Sequence, residues 1–119
     1  MTTLLISGPM TGYPAFNRPA FNLAADRLRA AGFTVLNPAD NKPPNDNPSW
    51  ADWMRLAIAQ LVQADGIALL TGWSSSPGAR IEERLACDLG MPRGSVPHWA
   101  TQAAHDAYMT RLLGKEATA

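Results

Sequence analysis

The sequence predicts an α/β protein with a Rossmann- or flavodoxin-like, three-layer α/β/α architecture around a parallel sheet of four to five strands. Short apolar segments with strand character alternate with segments in which apolar residues recur at helical spacing, in the order βαβαβα. Strands joined through helices favour parallel pairing with right-handed crossovers, so helices should cover both faces of the sheet. The length of 119 residues fits a single domain over residues 1–119.

The first half of the chain contains two predicted strands and one helix. Residues 3–6 form a partly β-branched apolar run that the turn-forming residues 7–9 end. Residues 19–31 place apolar side chains at helical spacing, with a glycine directly after the last of them. Residues 33–36 form the second strand, and the stretch at 37–49 is rich in Pro, Asn and Asp. We expect that stretch to be a mobile surface loop.

The second half continues the alternation. Ser49 is positioned to cap a helix that ends near residue 64, and residues 66–70 are the third strand. A helix over residues 79–89 follows a polar turn. Residues 91–99 carry two prolines and only a weak strand signal, and the last helix is predicted from about residue 101 to 113.

Composition excludes several classes of partner. Ten Lys and Arg balance ten Asp and Glu, so no overall positive field is present to hold a nucleic-acid polymer or an anionic membrane surface. No apolar run approaches the roughly 20 residues that span a bilayer, and the first residues lack a charged leader, so we expect a cytoplasmic protein. Cys87 is the single cysteine and lies far along the chain from His98 and His105, which argues against a disulfide or a metal cluster. We expect no metal and no cofactor.

Two loops are candidates for binding chemistry, because ligands of open parallel sheets bind beyond the carboxyl ends of the strands. In residues 7–12 (SGPMTG) the glycines let the backbone approach a ligand, although an ordinary strand exit is an equally good interpretation. Residues 74–78 (SSSPG) precede a helix, where hydroxyl and N–H groups could hold a phosphate. By sequence alone, a serine helix cap with Glu82 and Glu83 complementing the helix dipole is favoured there.

A family resemblance favours the functional interpretation. The segments LLISGPMTGYPAFNRPAFN, AAGFTVLNPAD and QADGIALLTGWSSSPGARIEERLA resemble, in order and spacing, the nucleoside 2-deoxyribosyltransferase-like superfamily, in particular its small phage and bacterial members of unassigned role. The most specific element is Ser76-x-Gly78-x-x-x-Glu82, which is similar to the stretch that carries the nucleophilic glutamate of deoxyribosyltransferases and deoxynucleoside monophosphate N-glycosidases. The resemblance implies that Glu82 is the nucleophile and that Ser76 donates a hydrogen bond to the 5′ end of the substrate.

The resemblance also implies which residues surround the substrate. It places the first loop along the sugar-phosphate site and makes two aromatic side chains candidate walls for the base. It further places Ala57 where the superfamily usually has an aspartate, and a methyl group cannot transfer a proton. The substrate-binding residues predicted in this way are Ser7, Gly8, Pro9, Met10, Tyr13, Trp73, Ser76 and Gly78.

The predicted function is that of an N-glycosidic-bond hydrolase or deoxyribosyltransferase acting on nucleosides or nucleoside 5′-monophosphates. Cleavage of that bond develops positive charge on the sugar, which a carboxylate stabilises or captures as an ester. A binding protein that retains the pocket without turnover is the alternative that Ala57 favours, and a structural protein that shares only the fold is the third. The expected partners are a small-molecule nucleoside or nucleotide and, by resemblance, a second copy in a homo-oligomer, with a dimer as the expected form.

Overall fold

A computed structural model describes residues 2–113 and contains a four-stranded parallel sheet, which confirms the predicted fold class. The strands are β1 (Thr3–Ser7), β2 (Thr34–Leu36), β3 (Gly66–Leu69) and β4 (Arg93–Ser95), and their order across the sheet is β2-β1-β3-β4. The helices are α1 (Arg18–Ala30), α2 (Trp50–Leu61), α3 (Pro77–Asp88) and α4 (Val96–Leu113). No helix among these residues is long and apolar enough to cross a membrane.

Side chains of the strands are buried on both faces of the sheet, because helices cover it on two sides. Leu4 and Ile6 of β1 point into one apolar cluster, which they share with side chains of α1 and α4. Leu5 points the other way, into a second cluster with Leu61 of α2 and Ala86 of α3. Because side chains alternate along a strand, the next residue of β1 on the α2/α3 side is Ser7.

The strand order creates a topological switch point between β1 and β3. From β1 the chain passes to β2 on one side of the sheet, and β3 then returns to the other side of β1. The connections after β1 and β3 therefore diverge at this pair, and ligands of doubly wound sheets bind at such a position. Both loops singled out from the sequence, residues 7–12 and 74–78, begin at or beyond this edge.

The last helix begins at Val96, five residues before the predicted start. Pro97 falls in the first helical turn, where the missing N–H of proline costs nothing. The Ser95 hydroxyl accepts a hydrogen bond of 3.1 Å from the backbone N–H of His98, which caps the helix. Trp99 then donates its indole N–H to the carbonyl of Ile67 at 2.9 Å and fixes α4 to the sheet.

The segment before α2 lies at the surface, as expected, and residues 42–47 are exposed. Reciprocal hydrogen bonds of 2.9 and 2.8 Å between the amides of Asn41 and Gln60 join its first part to α2. The spacing of three residues between Trp50 and Trp53 predicts that one helical face buries both, but the two side chains are 52% and 37% exposed. They lie in the first turn of α2, and the ring of Trp50 runs along Gly78 at the start of α3, away from the sheet.

Candidate functional site

The first turn of α3 sets the position of Glu82. Ser76 is the N-cap, and its hydroxyl accepts a hydrogen bond of 3.3 Å from the backbone N–H of Ala79. The structural interpretation of this serine is therefore correct, whatever else the side chain binds. Ala79, Glu82 and Ala86 follow at intervals of three and four residues and form the buried face of the helix. This spacing directs the carboxyl group of Glu82 toward the sheet.

Glu82 meets Ser7 at the carboxyl end of β1. The Ser7 hydroxyl donates a hydrogen bond of 2.7 Å to Oε1 of Glu82, and both residues are buried, at 1% and 6% exposure. A buried carboxyl group is rare in proteins unless a polar partner or a functional role accounts for it. The pair therefore forms a polar centre inside an otherwise apolar layer.

The surroundings of Glu82 raise the pKa of its carboxyl group. Burial raises the pKa of Glu82 from 4.5 to about 7, because the apolar layer disfavours the charged form. The Ser7 hydrogen bond acts in the opposite direction and lowers the pKa, since a donor stabilises the carboxylate. A carboxyl group with a pKa about 7 can exchange a proton at neutral pH, which is a frequent property of functional carboxyl groups.

The loops after β1 and β3 touch next to this pair. Gly8 lies so close to Leu70 that a Cβ atom at position 8 would stand 2.7 Å from the Cβ of Leu70. Gly72 has a left-handed backbone (φ +87°), and a Cβ there would lie 3.4 Å from the Tyr13 hydroxyl and 3.5 Å from Pro9. Glycine is thus required at position 8 by close backbone approach and at position 72 by backbone conformation.

A strained turn after Tyr13 braces the first loop, and little in the sequence predicts it. Ala15, Phe16 and Asn17 all have left-handed backbones, with φ of 53°, 53° and 60°. The Asn17 side chain donates a hydrogen bond of 2.9 Å to the carbonyl of Pro9, which secures the segment between them. Asparagine tolerates this conformation better than most residues, and that preference was the one available signal.

The predicted binding residues lie in different places relative to Glu82. Ser7 and Gly8 adjoin Glu82 at the end of β1. Gly78 lies one turn before Glu82 and close to Met54, since a Cβ at position 78 would stand 3.0 Å from the sulfur of Met54. Met10 instead packs on the apolar cluster beneath α1 and α4, on the opposite side of the sheet.

Trp73 borders a groove that does not include Glu82. This groove has a volume of about 560 Å³ and lies between α1, the loop after β3 and the start of α4. Arg27 and Leu23 of α1 and Ser95 also line it. Tyr13 and Pro9 approach the same loop at Gly72, so the two predicted base-side aromatic residues share one end of the crevice.

Two acidic side chains outside the Ser7–Glu82 pair, Asp52 and Asp65, have structural roles. Asp52 forms the capping box of α2 with Ser49, which lowers the pKa of its carboxyl group, and it also accepts a hydrogen bond from Asn45. Asp65, directly before β3, accepts a hydrogen bond of 2.8 Å from the N–H of Thr3 at the amino-terminal edge of the sheet.

Charged side chains on α3 pair differently from expectation. Glu83 forms an ion pair with Arg93 of β4. Its spacing of three residues from Arg80 along α3 predicts an ion pair with Arg80 as one of two equal interpretations, the other being attraction of a phosphate by Arg80. Arg84 approaches Asp88 at 3.9 Å, with both side chains well exposed. Within residues 2–113 no group of three or more His, Cys, Asp or Glu side chains is arranged to hold a metal ion.

Comparison with known proteins identifies a family for most of the chain. A family model described as "Domain of unknown function (DUF4406)" matches residues 2–93. The matched range runs from β1 into β4 and contains both Ser7 and Glu82. No curated protein matches the chain.

Proposed function

This chain belongs to the DUF4406 family, and on that premise we propose that it is an N-glycosidic-bond hydrolase or deoxyribosyltransferase with Glu82 as its nucleophile. Its substrates in this proposal are nucleosides or nucleoside 5′-monophosphates. The observation that carries the proposal is the buried Glu82 carboxyl group, which Ser7 orients at the carboxyl end of β1. The resemblance of Ser76-x-Gly78-x-x-x-Glu82 to the nucleoside 2-deoxyribosyltransferase-like superfamily supports the same assignment.

The proposed reaction proceeds in two displacements. The Glu82 carboxylate attacks C1′ of the sugar and forms an ester, while the bond from C1′ to the base breaks and its electron pair leaves with the base. Water then attacks C1′ in hydrolysis, or a second base attacks in transfer, and either step releases the carboxylate. Ser7 occupies Oε1, so Oε2 is the oxygen that meets the sugar in this proposal.

The protonation state of Glu82 governs the first displacement. A nucleophilic carboxyl group must be ionised, and a pKa of about 7 leaves about half of the molecules in that form at neutral pH. Release of base should therefore rise with pH through about 7. Positive charge on the sugar in the transition state would stabilise the carboxylate further.

Departure of the base needs a proton, and the chain offers no carboxyl group at position 57 to supply it. Ala57 is half-buried on α2, and Asp52 of the same helix is engaged in the capping box. Solvent is then the proton source in this proposal. The absence of a positioned acid typically lowers the rate by about 10² to 10⁴, so we expect slow turnover.

Base release is the direct test. Purified protein is incubated with a panel of deoxynucleosides and their 5′-monophosphates, and free base is quantified by chromatography. We expect slow release by the wild type and none by Glu82→Gln. Asp26→Asn, which neutralises an exposed acid of α1, is the matched control and should retain the wild-type rate. Release that persists in Glu82→Gln, or no release from any substrate, would reject the catalytic proposal.

A binding protein that has lost turnover is the second candidate, and Ala57 is the observation that favours it. A bound nucleotide would raise the apparent stability by RT ln(1 + [L]/Kd) without being consumed. A thermal-shift screen followed by native mass spectrometry separates the two candidates. An intact bound ligand supports the binding protein, and a released base supports the enzyme.

Two further properties remain proposals. By resemblance we propose a homo-oligomer, and the single cysteine, which cannot form an internal disulfide, supports a location in the reducing cytoplasm. The balance of ten basic and ten acidic residues supports a small molecule as the ligand, since no net positive charge is present to hold a nucleic-acid polymer.

A further inference from the structure

The groove of about 560 Å³ beside Trp73 is separate from the Ser7–Glu82 pair. It opens at the carboxyl ends of β3 and β4, and residues 69–74, residues 95–97 and one face of α1 line it. Glu82 is not among the described residues that line it. Pockets of roughly 300 to 1,000 Å³ hold small-molecule ligands, and ligands of open parallel sheets bind beyond this edge. We refer to this groove as the α1 groove.

The face of α1 that lines the α1 groove is apolar and leaves room for a flat molecule. Ala20 and Ala24 are small and lie four residues apart. Leu23 lies beside them and is 71% exposed, so its side chain presents apolar surface that the protein does not cover. Trp73 is half-buried and adds an aromatic wall, against which a planar ring can pack.

The polar part of the lining favours an anion. Arg27 is the charged side chain among the described lining residues, and its guanidinium forms no hydrogen bond or ion pair within residues 2–113. The indole N–H of Trp73 has no acceptor among the same residues, whereas that of Trp99 is bound to the carbonyl of Ile67. A guanidinium binds carboxylate and phosphate oxygens through paired N–H donors. The α1 groove therefore combines an apolar wall with a free cation and a free donor.

We propose that the α1 groove is a binding site for a small aromatic anion, that is, a flat apolar ring that carries a carboxylate or phosphate group. Leu23 and Arg27 are four residues apart on α1, so the apolar wall and the charge face the same ligand. The ring packs on Ala20, Leu23 and Trp73, and Arg27 binds the anionic group. This site does not depend on the chemistry proposed for Glu82.

NMR titration of the full chain with four probes tests the proposal. 2-Naphthoate and 2-naphthyl phosphate carry rings and charge, 2-naphthol carries the rings alone, and acetate carries the charge alone. The readout is the indole N–H signal of Trp73, which is assigned by its loss in Trp73→Phe. We expect at least one of the two aromatic anions to shift this signal with a Kd of about 1 mM or lower. The tighter of the two identifies the preferred anionic group, and 2-naphthol and acetate should bind at least about tenfold more weakly.

Four variants locate the tighter aromatic anion. Arg27→Gln removes the charge, and Ala20→Leu fills the α1 groove without changing its charge. Each should raise the Kd at least about fivefold. Arg55→Gln removes an exposed charge of α2 and is the matched control for Arg27→Gln. Glu82→Gln changes the proposed nucleophile, and both of these variants should keep the wild-type Kd. Circular dichroism confirms that each variant is folded.

Several outcomes would overturn the proposal. A Trp73 signal that no probe shifts at about 10 mM excludes the site. Binding of 2-naphthol as tight as that of both aromatic anions excludes recognition of the charge. A wild-type Kd in Arg27→Gln or Ala20→Leu, or an equal loss of affinity in Arg55→Gln, places the probe elsewhere. Loss of affinity in Glu82→Gln would assign the probe to the Ser7–Glu82 pair, and the α1 groove would then not be a separate site.

Discussion

The hydroxyl of Ser7 donates a hydrogen bond of 2.7 Å to the carboxyl group of Glu82, although 75 positions separate the two residues in sequence. The bond joins the last residue of β1 to the buried face of α3, at the point where the strand order diverges. It stabilises the charged form of a carboxyl group that burial would otherwise keep neutral. The behaviour of this pair gives the first two predictions.

Ser7→Ala should raise the pKa of Glu82 above its wild-type value of about 7. The substitution removes the donor that lowers this pKa and leaves the burial that raises it. Carbon-detected NMR titration of the glutamate carboxyl groups measures the shift. Ser74→Ala, at an exposed serine, is the control and should leave the titration unchanged. An identical Glu82 titration in Ser7→Ala and wild type would contradict the hydrogen bond.

Wild-type stability should fall as pH rises from about 4.5 through about 7. Below pH 4.5 Glu82 is protonated in both the folded and the unfolded chain, so its burial carries no cost of desolvating a charge. Between 4.5 and 7 the folded state holds a proton that the unfolded state has released, so increasing pH favours unfolding. At 1.36 kcal/mol for each pKa unit, the contribution is about 3 kcal/mol.

Urea unfolding at a series of pH values measures this loss. Glu82→Gln cannot titrate, so the difference in unfolding free energy between wild type and Glu82→Gln should change by about 3 kcal/mol between pH 4 and pH 8. The same comparison with Ser74→Ala, which removes no ionisable group at an exposed position, should show no such change. A pH-independent difference for Glu82→Gln would mean that the carboxyl group is solvated in the folded protein.

Gly8→Ala should destabilise the protein by about 1 to 3 kcal/mol, as overpacking does. The new Cβ would lie 2.7 Å from the Cβ of Leu70, so the backbone of one loop has to move. Adding Leu70→Ala should restore little, because the closest atom is a Cβ that alanine retains. Thermal unfolding measures both variants, with Thr11→Ala in the same loop as the control. Wild-type stability in Gly8→Ala would contradict the close approach.

Ser76→Ala should lower the free energy of unfolding by about 1 kcal/mol, the usual cost of losing a helix cap. The hydroxyl of Ser76 satisfies the backbone N–H of Ala79, which alanine at position 76 would leave unpaired. Ser75→Ala, one residue earlier and exposed, should change stability by less than about 0.5 kcal/mol. Equal stability of the two variants would contradict a stabilising helix cap at Ser76.

The positions of most strands and helices were predictable, because each depends on a pattern within a few neighbouring residues. The apolar run at β1 and the periodicity of α1 needed no tertiary information. Pro97 led to the wrong start for α4, since a proline disfavours a helix interior but is tolerated in a first turn that Ser95 caps. Trp50 was misplaced because helical spacing shows which residues share a face and leaves open what that face meets.

The order of local patterns along the chain was enough to predict a parallel sheet covered by helices and the two loops at its carboxyl edge. These features are predictable because hydrophobic periodicity and turn residues act over short distances. The meeting of Ser7 with Glu82 and the close approach of Gly8 to Leu70 depended on how β1, β3 and α3 pack together. Burial of the carboxyl group, and with it a pKa about 7, followed from that packing. Desolvation depends on neighbours in space, and residue spacing along a chain does not specify them.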